Sequence, residues 1–360
     1  MSCFDFYTKL FDTVFVTEEA SELHSVRRGL DRLSGIPVYR VPGKADIPRE
    51  RCNSRTLFVT TIRGDTVHHC PGSRGHICCN YITVDLYEGC MLGCSYCIMK
   101  SYLNFYPLTV YADTAGPVER IREIGELNKD RMVRIGTGET GDSLLLDPVF
   151  ELSADLIEAA ADYPHVYFEL KTKTDFVDHL LDVPRKGSAV IGFSLNPEPV
   201  AEAEEGIAVS VSRRFAAARK AVDNGFNISF HFDPIIRVEG WQQLYGEIIE
   251  EIGTFPSGCI AWISLGTFRY PPHLKDTMEP RPYLYDEFVQ CRDGKYRYLQ
   301  PVRNRIYGFI KKRLRAVCDA PLYLCMESRT VWQDVFGNHP LEVPGTAKLF
   351  RQPRGVQFWD

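Results

Sequence analysis

The sequence predicts an α/β protein centred on a partial (β/α)6 TIM-like barrel, with an N-terminal extension and a C-terminal cap. Three observations carry that prediction. Six short apolar runs recur at roughly 30–40-residue spacing, as expected of buried parallel strands. Segments of helical periodicity separate them. Polar residues stand just beyond the same end of successive runs, where sites on barrel folds gather.

Taken in order, residues 1–80 read as an extension, with a helix over Ala20–Leu33 and a β-rich run at Thr56–Thr61. Residues 81–267 read as the barrel. Its strands are expected at Ile82–Glu88, Met132–Gly136, Val166–Leu170, Ala189–Leu195, Asn227–Phe232 and Ile260–Leu265. Helices are expected at Val149–Ala161, Phe176–Leu181, Ser212–Asn224 and Trp241–Ile252. Gly225 follows the third of these as a C-terminal stop. Residues 268–360 read as a basic and aromatic cap, with a helix over Val302–Val317 and a strand-like run at Leu322–Glu327.

With 360 residues, 44% of them hydrophobic and 25% charged, the composition is that of an ordinary globular protein. A chain of this length needs no disulfides to fold, yet it carries 12 cysteines. The N-terminal residues lack the basic and apolar regions of a signal peptide. No apolar run is long enough to span a membrane. The expected compartment is therefore the cytoplasm, where cysteines point to metal or redox chemistry.

The 42 basic and 47 acidic residues net −5, which argues against a generic polyanion binder. The stretch Phe268–Arg315 nevertheless holds twelve Lys/Arg against five acids, interleaved with Tyr and Phe. It is a candidate for tracking a phosphate backbone with aromatic stacking, or else a solvated helix face.

The sharpest motif is Gly89-Cys90-Met91-Leu92-Gly93-Cys94-Ser95-Tyr96-Cys97, directly after the first barrel strand. Cys90, Cys94 and Cys97 place three thiolates on one short loop. Iron–sulfur clusters normally take four cysteine ligands, so three leave one iron open to another ligand. The alternative is a zinc site completed by a fourth residue. Upstream, Cys70, Cys78 and Cys79 lie in a segment with His68, His69 and His76. They are candidates for a second iron–sulfur cluster or zinc, for a free reactive thiol, or for a turn with inert cysteines.

The C-x3-C-x2-C spacing resembles the signature of radical S-adenosylmethionine (SAM) enzymes. That resemblance implies a [4Fe-4S] cluster on Cys90, Cys94 and Cys97, with SAM on the open iron and an electron from a flavodoxin or ferredoxin-type donor. Gly136-Thr137-Gly138-Glu139 looks like the glycine–glutamate element that contacts the SAM ammonium. The runs Lys171–Leu181, Phe193–Asn196 and Pro234–Trp241, with Phe268-Arg269-Tyr270 and Lys275, are similar to the spore photoproduct lyase family over roughly residues 20–315. In that family the residues matching Lys173 and Ser194 contact SAM, and Asn196, at the same strand end as Ser194, and Tyr96 are further candidates to line the cofactor site. Its members reverse a thymine photoproduct in DNA by hydrogen abstraction.

Two positions depart from the family pattern. Glu139 stands where the family places a hydrogen-donating cysteine, and Ile98 replaces a tyrosine, while the relay residue Tyr96 is kept. Cys78 and Cys79 are the replacement thiols the sequence offers. The expected function is therefore a radical SAM enzyme acting on damaged DNA. The alternatives are radical chemistry on another substrate, or a cluster- or zinc-bearing nucleic-acid-binding protein without it.

Overall fold

The computed structural model describes residues 4–61, 64, 66–73, 75–103 and 107–357. Seven parallel strands form the barrel wall: β1 (Ile82–Val84), β2 (Val133–Thr137), β3 (Val166–Thr172), β4 (Val190–Ser194), β5 (Asn227–Ile235), β6 (Ile260–Thr267) and β7 (Leu322–Leu324). They line up in the sheet in the order in which they occur along the chain. Val67–His69 adds an antiparallel edge against β1, giving an eight-stranded sheet. The partial barrel is thus as the apolar runs predict, with one strand more.

Crossover helices α1 (Ala115–Leu127), α2 (Ser153–Ala161), α3 (Val211–Asp223), α4 (Trp241–Ile252) and α5 (Gln300–Val317) cover the sheet. Helix α4 shows the logic. Its Tyr245, Ile248, Ile249 and Ile252 recur at helical spacing and are all buried, while its Glu and Gln face outward.

Several local expectations change. Ile82–Glu88 is two strands rather than one. Tyr87–Glu88 leaves the barrel and pairs antiparallel with Leu108–Tyr111. Val149–Ala161 is interrupted at Glu151, which adopts a left-handed conformation (φ +53°) and pairs with Arg28 and Arg32. Ala20–Leu33 divides into Glu18–Ser21 and His24–Arg32. Phe176–Leu181 holds a single 3-10 turn, because Pro184 soon blocks helical extension.

The N-terminal segment builds a second sheet of five strands from Val38–Arg40, Thr13–Val16, Thr56–Thr60, Leu108–Tyr111 and Tyr87–Glu88. Within residues 1–80, only the Thr56 strand of this sheet is legible from sequence as a β run. Residues of all three sequence segments, from Tyr7 to Val356, share one hydrophobic core. The segment beyond 267 supplies β7 as well as a cap. It also adds a three-stranded hairpin unit of Arg269–Tyr270, Tyr296–Tyr298 and Phe288–Gln290.

The two free edges of the barrel sheet are β7 and Val67–His69. The loop leaving Val67–His69 reaches across to the segment leaving β7, where Ile77 N donates to Glu327 O at 2.9 Å. Ser73 Oγ also contacts Met326 Sδ at 3.4 Å. The seam of the partial barrel is therefore bridged by the Cys/His-rich loop.

Candidate active site

The loop Cys90–Cys97 leaves the second sheet and crosses the C-terminal end of the barrel strands. The segment Glu204–Ile207 grips it. Ser95 N donates to Glu204 O at 2.7 Å, and Ile207 N donates to Leu92 O at 2.9 Å. Gly206 permits this approach, since a Cβ there would lie 2.1 Å from Leu92 O.

The three thiols lie within electrostatic reach of one another. Cys90 sits at the exposed edge of the loop, yet burial of its thiol and then the Asp142 carboxylate push its pKa well up. Burial pushes Cys94 up to about 12, against the opposing pull of Lys173. Gathered thiols beside a lysine fit a cluster whose iron stabilises the thiolate form. Among the described residues, no three His, Cys, Asp or Glu side chains converge on a position for a single metal ion.

Tyr96 is buried at the centre of a polar network. Its phenol donates to the Glu205 carboxylate, and Asn196 Nδ2 donates to Tyr96 Oη at 3.2 Å and to Glu205 Oε1 at 3.0 Å. Tyr245 Oη donates to Asn196 Oδ1 at 3.0 Å. The Asn196 amide thus links Tyr96, Glu205 and Tyr245 in one network. Lys173 Nζ stands 5.9 Å from the Tyr96 ring centre. Lys173 N donates to Asp142 Oδ2 at 2.8 Å, which fixes the end of β3 beside the cysteine loop. Ser194 ends β4, half-buried, and its carbonyl accepts from Arg214 Nη1 at 2.9 Å.

The glycine–glutamate element ends β2. A Cβ on Gly136 would meet Tyr81 Oη at 2.2 Å, and one on Gly138 (φ +94°) would meet Ser143 Oγ at 2.8 Å. Packing inside the protein therefore requires both glycines. Glu139 follows, half-buried, within electrostatic reach of Cys70, Lys171 and Lys295.

Below the mouth the barrel interior is polar. Glu169 Oε1 accepts from His231 Nε2 at 2.7 Å and Trp262 Nε1 at 3.0 Å, and Tyr81 Oη donates to Glu169 Oε2 at 2.7 Å. A Cβ on Gly192 would come within 2.9 Å of Glu169, Ser229 and His231, so the layer fits only around a glycine. Burial alone would raise the Glu169 carboxyl, but His231 and Lys171 hold it well below the usual range. Arg134 Nη2 donates to Cys79 O at 2.8 Å, and its guanidinium stacks on Tyr81, Trp262 and Tyr323. Sequence reasoning misses Glu205, Arg214, Glu169, His231 and Arg134. A charged residue inside an apolar strand is the available signal for Glu169, His231 and Arg134.

The basic stretch is largely used internally. Arg269 pairs with Asp233 at 3.0 Å, Arg281 with Glu204 at 2.9 Å, and Arg297 with Asp293 at 2.7 Å. Arg303 pairs with Glu327 at 3.1 Å, and Arg313 with Glu250 at 2.7 Å. Lys295, Lys311 and Arg315 donate to Ser73 Oγ, Val335 O and Ala320 O. Arg305 and Lys312 are among the exposed cations of the stretch.

A three-thiol loop at the mouth of a partial (β/α) barrel defines the radical SAM class of protein. The family model for spore photoproduct lyase matches residues 32–259. The chain belongs to the spore photoproduct lyase family. It is 28% identical over 218 residues to the spore photoproduct lyase of Geobacillus sp. (strain Y412MC61), covering 60% of this chain and 62% of that one. The Bacillus subtilis (strain 168) enzyme is 23% identical over 216 residues, covering 60% and 61%. The matched region thus spans about three fifths of these curated relatives.

A solved structure of spore photoproduct lyase complexed with dinucleoside spore photoproduct aligns with a TM-score of 0.73 at 20% identity, covering 87% of this chain and 98% of that one. A mutant with bound AdoMet and the same dinucleoside aligns at 0.74 and 20% identity, with the same coverage. These likenesses establish the fold. No helix among the described residues is long and apolar enough to cross a membrane.

Proposed function

We propose that this chain is a radical SAM lyase acting on a spore photoproduct-type lesion in DNA. The observation that carries the proposal is the Cys90–Cys97 loop, held over the barrel mouth with Lys173 and Tyr96 beside it. Cys90, Cys94 and Cys97 would hold a [4Fe-4S] cluster. With SAM bound and one electron from a flavodoxin or ferredoxin-type donor, that cluster supplies a carbon-centred radical that removes a hydrogen atom from substrate.

The protein's own part is placement and shielding. Lys173 offers a cation to the SAM carboxylate, and Ser194 a hydroxyl at the adjoining strand end. Gly136 and Gly138 keep the β2 turn close to the wall, which leaves the mouth open above it. Glu205 accepts the Tyr96 hydroxyl and fixes the ring against the cysteine loop. In this reading the Cys70–Cys79 loop carries thiols and no second metal centre.

A second reading, radical chemistry on another substrate, is favoured by Glu139 and Ile98 at two positions where the family places cysteine and tyrosine. The test is anaerobic reconstitution. The expected result is iron–sulfur absorbance, 5′-deoxyadenosine formation under dithionite, and loss of both in Cys97→Ala. Release of repaired thymines from dinucleoside spore photoproduct supports the first reading. SAM turnover without that release leaves the second.

A further inference from the structure

A lesion in DNA is part of a longer strand, so a mouth that takes the lesion must let the strand leave it. A cleft opens beside the mouth where such an exit can run. Its volume is about 660 Å³, and it lies between the turn after β5 and the segment Pro282–Asp286. That size falls within the roughly 300–1,000 Å³ of small-ligand sites. Both walls start at the mouth. Arg237, on one wall, follows the last residue of β5 by two positions. On the other, Pro282 and Tyr283 follow Arg281, whose Nε donates to Glu204 Oε1 at 2.9 Å. The Glu204 carbonyl in turn holds Ser95 N of the cysteine loop.

The walls are aromatic, and their charges are arranged for an anion nearby. Trp241 lines the cleft at the start of α4, and Phe309 of α5 braces its ring edge-on, with centroids 5.2 Å apart. Tyr285 lines the other wall and is 69% exposed, more than any other large hydrophobic side chain among the described residues. Packing does not account for that ring. Lys275 Nζ stands 4.6 Å from its centre, and among the described residues this ammonium has no carboxylate in ion-pair contact. Arg237 pairs with both Asp286 and Glu287, and so neutralises two carboxylates that would repel a phosphate. Glu239 is exposed and offers an acceptor to the N–H groups of a base.

We propose that this cleft is a stacking site for a nucleobase flanking the lesion, with Tyr285 and Trp241 as its platforms and Lys275 neutralising the adjoining phosphate. Every base has a π face, so the site accepts any neighbour, as repair of a lesion in arbitrary sequence requires. The inference rests on the lyase function proposed above and extends it from the lesion to the strand beside it.

The test compares two substrates on the full reconstituted chain with SAM. One is dinucleoside spore photoproduct, which ends at the lesion; the other is a single-stranded oligonucleotide with the lesion at its centre. In Tyr285→Ala the KM for the oligonucleotide is expected to rise about ten-fold, the loss of one base–aromatic stack, while that for the dinucleoside stays unchanged. Tyr285→Phe keeps the ring and should retain the wild-type value. Lys275→Ala should lower the salt slope of oligonucleotide binding by about 0.7, one phosphate on a single strand. An oligonucleotide KM unmoved in Tyr285→Ala, or raised equally for both substrates, overturns the stacking site and leaves the lyase function standing. Fluorescence anisotropy with lesion-free oligothymidylate reads the same site without turnover, and its Kd should weaken about ten-fold in Tyr285→Ala. Failure of the wild type to turn over either substrate overturns the lyase function. Anisotropy then judges the cleft, and equal Kd values for wild type and Tyr285→Ala overturn it.

Discussion

Arg214 and Glu205 form an ion pair at 2.5 Å with both side chains fully buried. Arg214 Nε also donates to Val209 O at 3.0 Å, and its Nη1 to Ser194 O. The pair thereby ties the end of β4 and the start of α3 to Tyr96 on the cysteine loop. Its value is geometric: it sets a rigid floor under the loop that is to carry the cluster.

Glu205→Gln should destabilise the fold by about 3–5 kcal/mol, because it leaves a buried guanidinium without its counter-charge. Urea denaturation of wild type and variant checks this. An unchanged midpoint would mean that water or another carboxylate compensates Arg214.

The same pair predicts a pH dependence. Burial pushes the Glu205 carboxyl up, but Lys173 and then Arg214 outweigh it and leave its pKa below the ordinary value. The folded pKa is thus depressed. Its stabilising contribution is fully present above the unfolded value of about 4.3, and it is lost as pH falls through the lower folded value. The stability gap between wild type and Glu205→Gln should be constant from neutral pH down to mildly acid and narrow below pH of about 4. A gap that widens in acid would contradict the sign.

Lys173→Ala removes the cation beside Cys94 and Tyr96. The KM for SAM should rise about ten-fold, equivalent to about 1.4 kcal/mol, with iron content unchanged. Loss of iron in this variant would instead make Lys173 a support of the cysteine loop. Steady-state kinetics with iron analysis separates the two.

DNA affinity should fall with added salt, but less steeply than twelve basic residues would suggest, because most of them have protein partners. Arg305→Ala with Lys312→Ala should flatten the salt slope by roughly one for each phosphate that these side chains neutralise. Arg303→Ala should lower stability rather than the slope, since Arg303 is buried against Glu327. Binding titrations across a salt series, paired with thermal melts, distinguish these outcomes.

The elements legible in the sequence are those fixed by local pattern. Trp241–Ile252 begins and ends where its periodicity does, and six of the seven parallel strands are legible from sequence as strands of the barrel. Sequence and structure part where a single side chain or turn decides. Glu151 breaks one helix through a left-handed turn that Arg28 and Arg32 secure from a remote segment. The strand Leu322–Leu324 is legible as an apolar run, but its place beside β6 is not, because pairing is a long-range choice.

By itself the sequence determined the barrel type and the three-thiol loop. Strand and helix periods, and the reach of three cysteines on eight residues, are properties of a short stretch of backbone. Only the tertiary structure decided what surrounds them. Tyr96 meets Glu205 across 109 positions, Ile77 meets Glu327 across the barrel seam, and Arg269, Arg297 and Arg303 find carboxylates that neutralise them. Burying a charge requires a partner, and the partner's identity is set by which distant strands and loops the fold brings together.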